Sequence, residues 1–332
     1  MTTKTHTPQD TQHTYTYTHH PPLLQGNGNK QKPTILLLHG FPSTSYDWRH
    51  QIPHLSSLGY GVIAPDLLGY GGTSKPTDLA AYKTKSMAAE IISILDAEGI
   101  EKAHAVGHDT GCTLLSRLAD YFPERLLSCV FLDVPYMGPG EKFDLDFVNM
   151  VTRDILGFER FGYVGFFAGE GSGGLLDRFA DSFFTLFYPH SPSLWISHLC
   201  PAGAIEKWLL FDHRAPLAPY ITEEEFKTHQ NLLVGNHDSA LNWYRALVSN
   251  INLEDEEEAQ ITPLLSMPAL LICPKKSELE MPGLEEGMRA VCAGDLVVKR
   301  VSTEGHWIQL EASKEVNLIL GEFFEGLGFK GY

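Results

Sequence analysis

The stretch best suited to chemistry is Gly107-His108-Asp109-Thr110-Gly111. An apolar run over 103–106 leads into it, and a helical pattern begins at Cys112, so the local reading is strand, sharp turn, helix. Glycines on both sides of the apex leave Cβ-free backbone where another segment must pass closely. In the related Gly-x-Ser-x-Gly turn the apex serine stands exposed at the top of an α/β sheet. Here the apex is Asp109. A carboxylate so presented can attack carbon, giving an alkyl ester that water must then cleave. The stretch alone leaves a second reading open, in which Asp109 caps the helix that starts at Thr110.

Such a residue needs a scaffold, and the rest of the chain reads as one. Apolar runs at 35–38, 61–65, 126–133, 269–273 and 296–301 alternate with helical patterns at 48–58, 84–97, 283–292 and 312–327. That alternation predicts an α/β fold, a mostly parallel sheet flanked by helices. Between 135 and about 253 the strand signal disappears. Aromatic helical segments at 158–167, 175–188 and 240–248 replace it, and an acidic run at 254–258 reads as a solvated linker. The expected domains are a core of 31–134 and 259–332, a helical cap (lid) of 135–258, and a flexible N-terminal tail of 1–30. In that tail His6, His13, His19 and His20 have no partner at metal-ligand spacing, and only Tyr15 and Tyr17 alternate as a short edge strand would. Asp109, Asp133, Ser277 and His306 all fall just after expected strands, so they should share the rim where open α/β sheets bind ligands.

Composition narrows the function. The chain has 332 residues, 43% of them hydrophobic and 20% charged, enough for a large core. Its 41 acidic and 25 basic side chains give a net charge of −16, which disfavours nucleic acid and acidic membrane surfaces. Five cysteines, an odd number without Cys-x-x-Cys spacing, read as reduced thiols rather than a disulfide frame or metal site. The glycine-dense loop 65–76 lacks the spacing of a phosphate cradle. No apolar run reaches the roughly 20 residues of a membrane span, and the polar N-terminus lacks a signal-peptide core. A cytoplasmic location is expected.

Taken together, His39-Gly40-Phe41-Pro42, the 65–76 loop, the Asp109 turn, Leu241-Asn242-Trp243-Tyr244-Arg245 and Gly305-His306-Trp307 resemble the α/β-hydrolase superfamily. Within it they resemble the soluble epoxide hydrolases, over nearly everything from Lys32 to Leu327. The resemblance implies that Asp109 opens an epoxide from the back side. It further implies that Tyr244 and Tyr163, the latter in Phe161-Gly162-Tyr163-Val164-Gly165-Phe166-Phe167, protonate the epoxide oxygen. His306 would activate water to cleave the ester, with the backbone N–H groups of Phe41 and Thr110 as oxyanion hole. The partner implied is a small apolar epoxide, with no metal and no organic cofactor; a homodimer is compatible with these patterns.

The chain departs from the family at one place. A basic histidine needs a carboxylate on its other nitrogen, and Ser277 stands where the family usually places that acid. Asp133, after the preceding sheet strand, is the favoured replacement, as in the related haloalkane dehalogenases. Glu278, one residue past the usual place, is the other candidate. The alternatives are a haloalkane or fluoroacetate dehalogenase, an epoxide-opening cyclising enzyme of a biosynthetic pathway, and a non-catalytic ligand-binding protein on this fold.

Overall fold

The computed structural model describes residues 2–25 and 30–328. Eight strands build one sheet: β1 Thr2–His6, β2 Tyr15–His20, β3 Thr34–Leu38, β4 Gly61–Pro65, β5 Ala103–His108, β6 Leu126–Leu132, β7 Ala269–Pro274 and β8 Leu296–Val301, in the order β1-β2-β4-β3-β5-β6-β7-β8. β1 and β2 run antiparallel to each other, and β2 runs antiparallel to β4. Every other neighbouring pair is parallel.

The apolar runs become strands because helices cover both faces of the sheet, so the central strands β3 to β7 are buried on both sides. Ile35, Leu37, Val62, Val106 and Ile272 face one layer, containing Trp48 and the closing helix Ser313–Gly326. Leu36, Leu38, Ile63, Ala105 and Leu271 face the other, with helices Thr84–Ala97 and Thr110–Tyr121. Each fully buried Leu or Ile contributes about 1.5–3 kcal/mol. This layering aligns the carboxyl ends of β5, β6 and β7 along one edge.

Between β6 and β7 lies the helical insertion, whose helices run from Leu145–Leu156 to Leu253–Ala259. Specific polar contacts hold it over that edge. Arg49 donates to Glu225 at 2.6 Å, the Tyr188 hydroxyl to the Pro42 carbonyl at 2.9 Å, and the Trp243 indole to the Leu68 carbonyl at 2.9 Å. His229 of the insertion sits 3.0 Å from Asp47 of the core, both fully buried.

Three expectations are corrected. The segment 2–20, expected as a flexible tail, contributes β1 and β2. Its polar side chains find partners on helix Thr84–Ala97 and its C-cap: Tyr15 donates to Glu90 at 2.5 Å, Tyr17 to Glu98 at 2.6 Å, and His6 pairs with Ser93 at 2.8 Å. The acidic run 254–258, expected as a linker, is helical within Leu253–Ala259. Two of its five carboxylates are paired, Asp255 with Lys83 at 3.0 Å and Glu256 with Arg117 at 3.4 Å, Glu256 also accepting the Gly140 N–H at 2.7 Å, while Glu254, Glu257 and Glu258 are exposed. The expected lid segment 175–188 is broken at Phe179 into Ser172–Arg178 and Ala180–Phe187. Among the described residues no helix is long and apolar enough to cross a membrane.

Candidate active site

Asp109 sits between β5 and helix Thr110–Tyr121 with φ 53° and ψ −127°, a conformation non-glycine residues rarely adopt. Such strain costs on the order of 1–3 kcal/mol and persists only where the surroundings enforce it. The glycines supply the room. A Cβ on Gly111 would lie 2.3 Å from the Leu38 carbonyl oxygen, and one on Gly40 would lie 2.4 Å from Asp109 itself. The Asp109 side chain does not cap the helix. Its Oδ1 instead accepts the Phe41 N–H at 2.8 Å, one of the two amides expected at an oxyanion hole. His39 steadies that loop, its Nε2 accepting the Leu67 N–H at 2.9 Å.

His306 follows β8, on the loop before helix Ile308–Glu311. Its Nε2 stands 3.5 Å from Asp109 Oδ2, and its Nδ1 lies 2.5 Å from Asp133 Oδ2. Asp133 follows β6 with φ 65°. Ser277 and Glu278 line the same cavity but make no polar contact with His306; the Ser277 hydroxyl accepts the Leu279 N–H at 3.3 Å. Burial alone would make the imidazole less basic, but the Asp109 and Asp133 carboxylates outweigh it and raise the pKa to about 9. Burial likewise opposes ionisation of Asp109, yet His306, His108 and the Phe41 amide bring its pKa below the usual carboxylate value. The His306 ring thus lies between the Asp109 and Asp133 carboxyl groups, an arrangement that favours its protonated form.

Opposite this group, Tyr163 projects from helix Gly162–Ala168 and Tyr244 from helix Asn242–Val248, their rings 6.2 Å apart. The Tyr244 ring packs edge-on against Phe41 at 5.3 Å. Among the described residues neither hydroxyl has a hydrogen-bond partner. Burial, then the charge of Asp109, pushes both phenols upward, so both are proton donors at neutral pH. Asp109, Thr110, Asp133, His306 and both tyrosines share one cavity of about 780 Å³ under the insertion.

Three neighbours were not singled out from the sequence. Trp195 walls the cavity, its ring 5.5 Å from that of His306. Trp307 stacks on Tyr188 at 4.6 Å. His108 lies 4.5 Å ring to ring from His306. His108 and Trp307 had local signals, their places beside Asp109 and His306; Trp195 had none. Among the described residues no group of three or more His, Cys, Asp or Glu side chains is arranged to hold a metal ion.

Comparison with known proteins places the fold. The family model described as alpha/beta hydrolase fold matches residues 33–313. Epoxide hydrolase A of Mycobacterium tuberculosis is 29% identical over 310 residues, covering 90% of this chain and 92% of its own. An epoxide hydrolase of Caballeronia sordidicola is 32% identical over 308 residues, covering 88% and 87%. The solved structure of an epoxide hydrolase from an endophytic Streptomyces superposes with a TM-score of 0.82 at 26% identity, covering 98% of this chain and 96% of the other. The chain belongs to the α/β-hydrolase fold family, in the company of epoxide hydrolases that match it along nearly its whole length.

Proposed function

We propose that the protein hydrolyses epoxides to vicinal diols through an ester on Asp109. The observation that carries this reading is the line Asp133–His306–Asp109 facing two unbonded tyrosine hydroxyls across one cavity. Oδ1 of Asp109 is already held by the Phe41 amide, so Oδ2 is the attacking oxygen. As Oδ2 bonds to the epoxide carbon, the carbon–oxygen bond of the ring breaks. Its oxygen takes a proton from Tyr163 or Tyr244, leaving a hydroxyalkyl ester and a transient tyrosinate.

Ester formation removes the Asp109 charge and with it one of the two anions that keep His306 protonated. The histidine gives up its proton, which can restore the tyrosine, and becomes a base backed by Asp133. A water then loses a proton to His306 Nε2 and attacks the ester carbonyl. Oδ1 becomes the oxyanion, facing the amides of Phe41 and Thr110. Collapse expels the diol oxygen, which takes the proton from His306, and the carboxylic acid left on Asp109 then passes its proton to the imidazole, restoring the carboxylate and the imidazolium. The same ester chemistry on an alkyl halide would need side-chain N–H donors for the departing halide, and Phe41 and Thr110 offer none.

The test is intact-mass analysis of wild type and His306→Gln after incubation with styrene oxide and longer aliphatic epoxides. Diol from the wild type and a substrate-mass adduct on the variant, mapped to Asp109, is the expected result. No diol and no adduct across the panel, or an adduct elsewhere, overturns the proposal.

A further inference from the structure

A buried polar chain behind the site is not used by the chemistry described above. His108, the last residue of β5, is fully buried. Its Nε2 lies 3.0 Å from the His306 backbone carbonyl, which also accepts the Ile308 N–H at 2.9 Å. Its Nδ1 lies 3.2 Å from Gln309 Nε2. The backbone carbonyl of Gln309 in turn accepts from Gln51 Nε2 at 2.9 Å. Gln51 and Gln309 are 0% and 1% exposed, so no water competes for these bonds.

The donor sense follows from chemistry. A carbonyl only accepts, so His108 Nε2 must carry the hydrogen, and a neutral imidazole then has a bare Nδ1 that only accepts, from the Gln309 amide. We infer that His108 is a positioning residue: as its Nε2–H tautomer, fixed by Gln309, it clamps the His306 carbonyl and sets the general base against Asp109 for the ester-hydrolysis step. This rests on the proposed ester mechanism. Neutrality is independently favoured, because burial and the neighbouring His306 bring the His108 pKa down to about 4. His108 also faces Asp109 and Asp133, which pull weakly the other way.

The clamp has a specific kinetic consequence. Asp109 is presented by its own turn and by Phe41, so ester formation depends less on the exact placing of the His306 loop than ester hydrolysis does. Water attack depends on it directly, because Nε2 must hold a water in line with the carbonyl, and small misplacements of a catalytic group are costly.

The experiment has two arms. In wild-type protein labelled with nitrogen-15 histidine, His108 should remain the neutral Nε2–H tautomer from about pH 5 to about pH 9. A proton on Nδ1, or titration near the ordinary histidine value, overturns the inference while leaving the hydrolase reading intact. In single-turnover kinetics, His108→Phe and Gln309→Leu should each slow ester hydrolysis about tenfold while ester formation stays within about threefold. His108→Gln, which keeps a donor near the Nε2 position, should restore most of the loss. Equal slowing of both steps, no slowing, or no rescue by glutamine overturns the inference. Absence of both adduct and diol with wild type removes the hydrolase reading and the kinetic role together, a result distinct from any of these.

Discussion

Replacing Asp133 by Asn probes the acid that Ser277 does not supply. In the resting site two carboxylates raise His306 from 6.5 to about 9 against the opposing effect of burial. That rise of about 2.5 units corresponds to roughly 3 kcal/mol favouring the imidazolium. In the proposed ester state Asp109 would be uncharged, leaving Asp133, 2.5 Å from the ring, as its carboxylate partner. With Asn there, no anion compensates burial, and the neighbouring His108, which has no carboxylate hydrogen-bonded to its ring, illustrates the outcome with a pKa of about 4. A weaker base combined with an unfixed tautomer should slow ester hydrolysis on the order of 10²–10⁴-fold. Ester formation should fall by less than about tenfold, because Asp109 keeps its Phe41 bond. Rapid-quench mass spectrometry, following ester and diol separately, reads both steps. Asp133→Asn protein that turns over within about threefold of wild type, with no accumulated ester, would refute the reasoning. Loss of turnover in Glu278→Gln instead would move the role to that residue.

Two further outcomes follow from the same geometry. Tyr163→Phe and Tyr244→Phe should each slow ester formation by about 10–100-fold and the double variant more, with ester hydrolysis unchanged; equal ester-formation rates in wild type and the double variant would remove both from proton donation. Stability should depend on pH through His306. Its folded pKa is raised, so its contribution is complete below the unfolded value of 6.5 and is lost as pH rises through about 9. Denaturant unfolding of wild type should lose about 3 kcal/mol across that interval, and His306→Gln should lose far less. Parallel curves would show that the imidazolium between the two carboxylates does not form.

The central strands β3 to β7 were legible because they are short apolar runs buried on both faces. The expected strand 296–301 and helix 84–97 coincide with β8 and with Thr84–Ala97. The shared rim of Asp109, Asp133, Ser277 and His306 was legible for the same reason, since parallel strands deliver their carboxyl ends to one edge. What escaped was whatever depended on distant partners. β1 and β2 consist largely of Thr and His, and what seats them is Glu90 and Glu98, some eighty positions away in several cases, such as the 81 between Tyr17 and Glu98. The acidic run 254–258 looked solvated because Lys83 and Arg117 lie on other elements. In the insertion, helices as short as Leu194–His198 carry too few turns for a 3.6-residue period to emerge. Trp195 and Gln309 likewise belong to the site only through the fold.

The central claim is that Asp109, not water, attacks the epoxide. A single turnover with enzyme in excess over styrene oxide, in water enriched in oxygen-18, tests it directly. Attack by Asp109 predicts a first-turnover diol whose new oxygen is the ordinary isotope, with oxygen-18 appearing in the peptide that contains Asp109. Oxygen-18 in the diol from the first turnover, with an unlabelled Asp109 peptide, would contradict it.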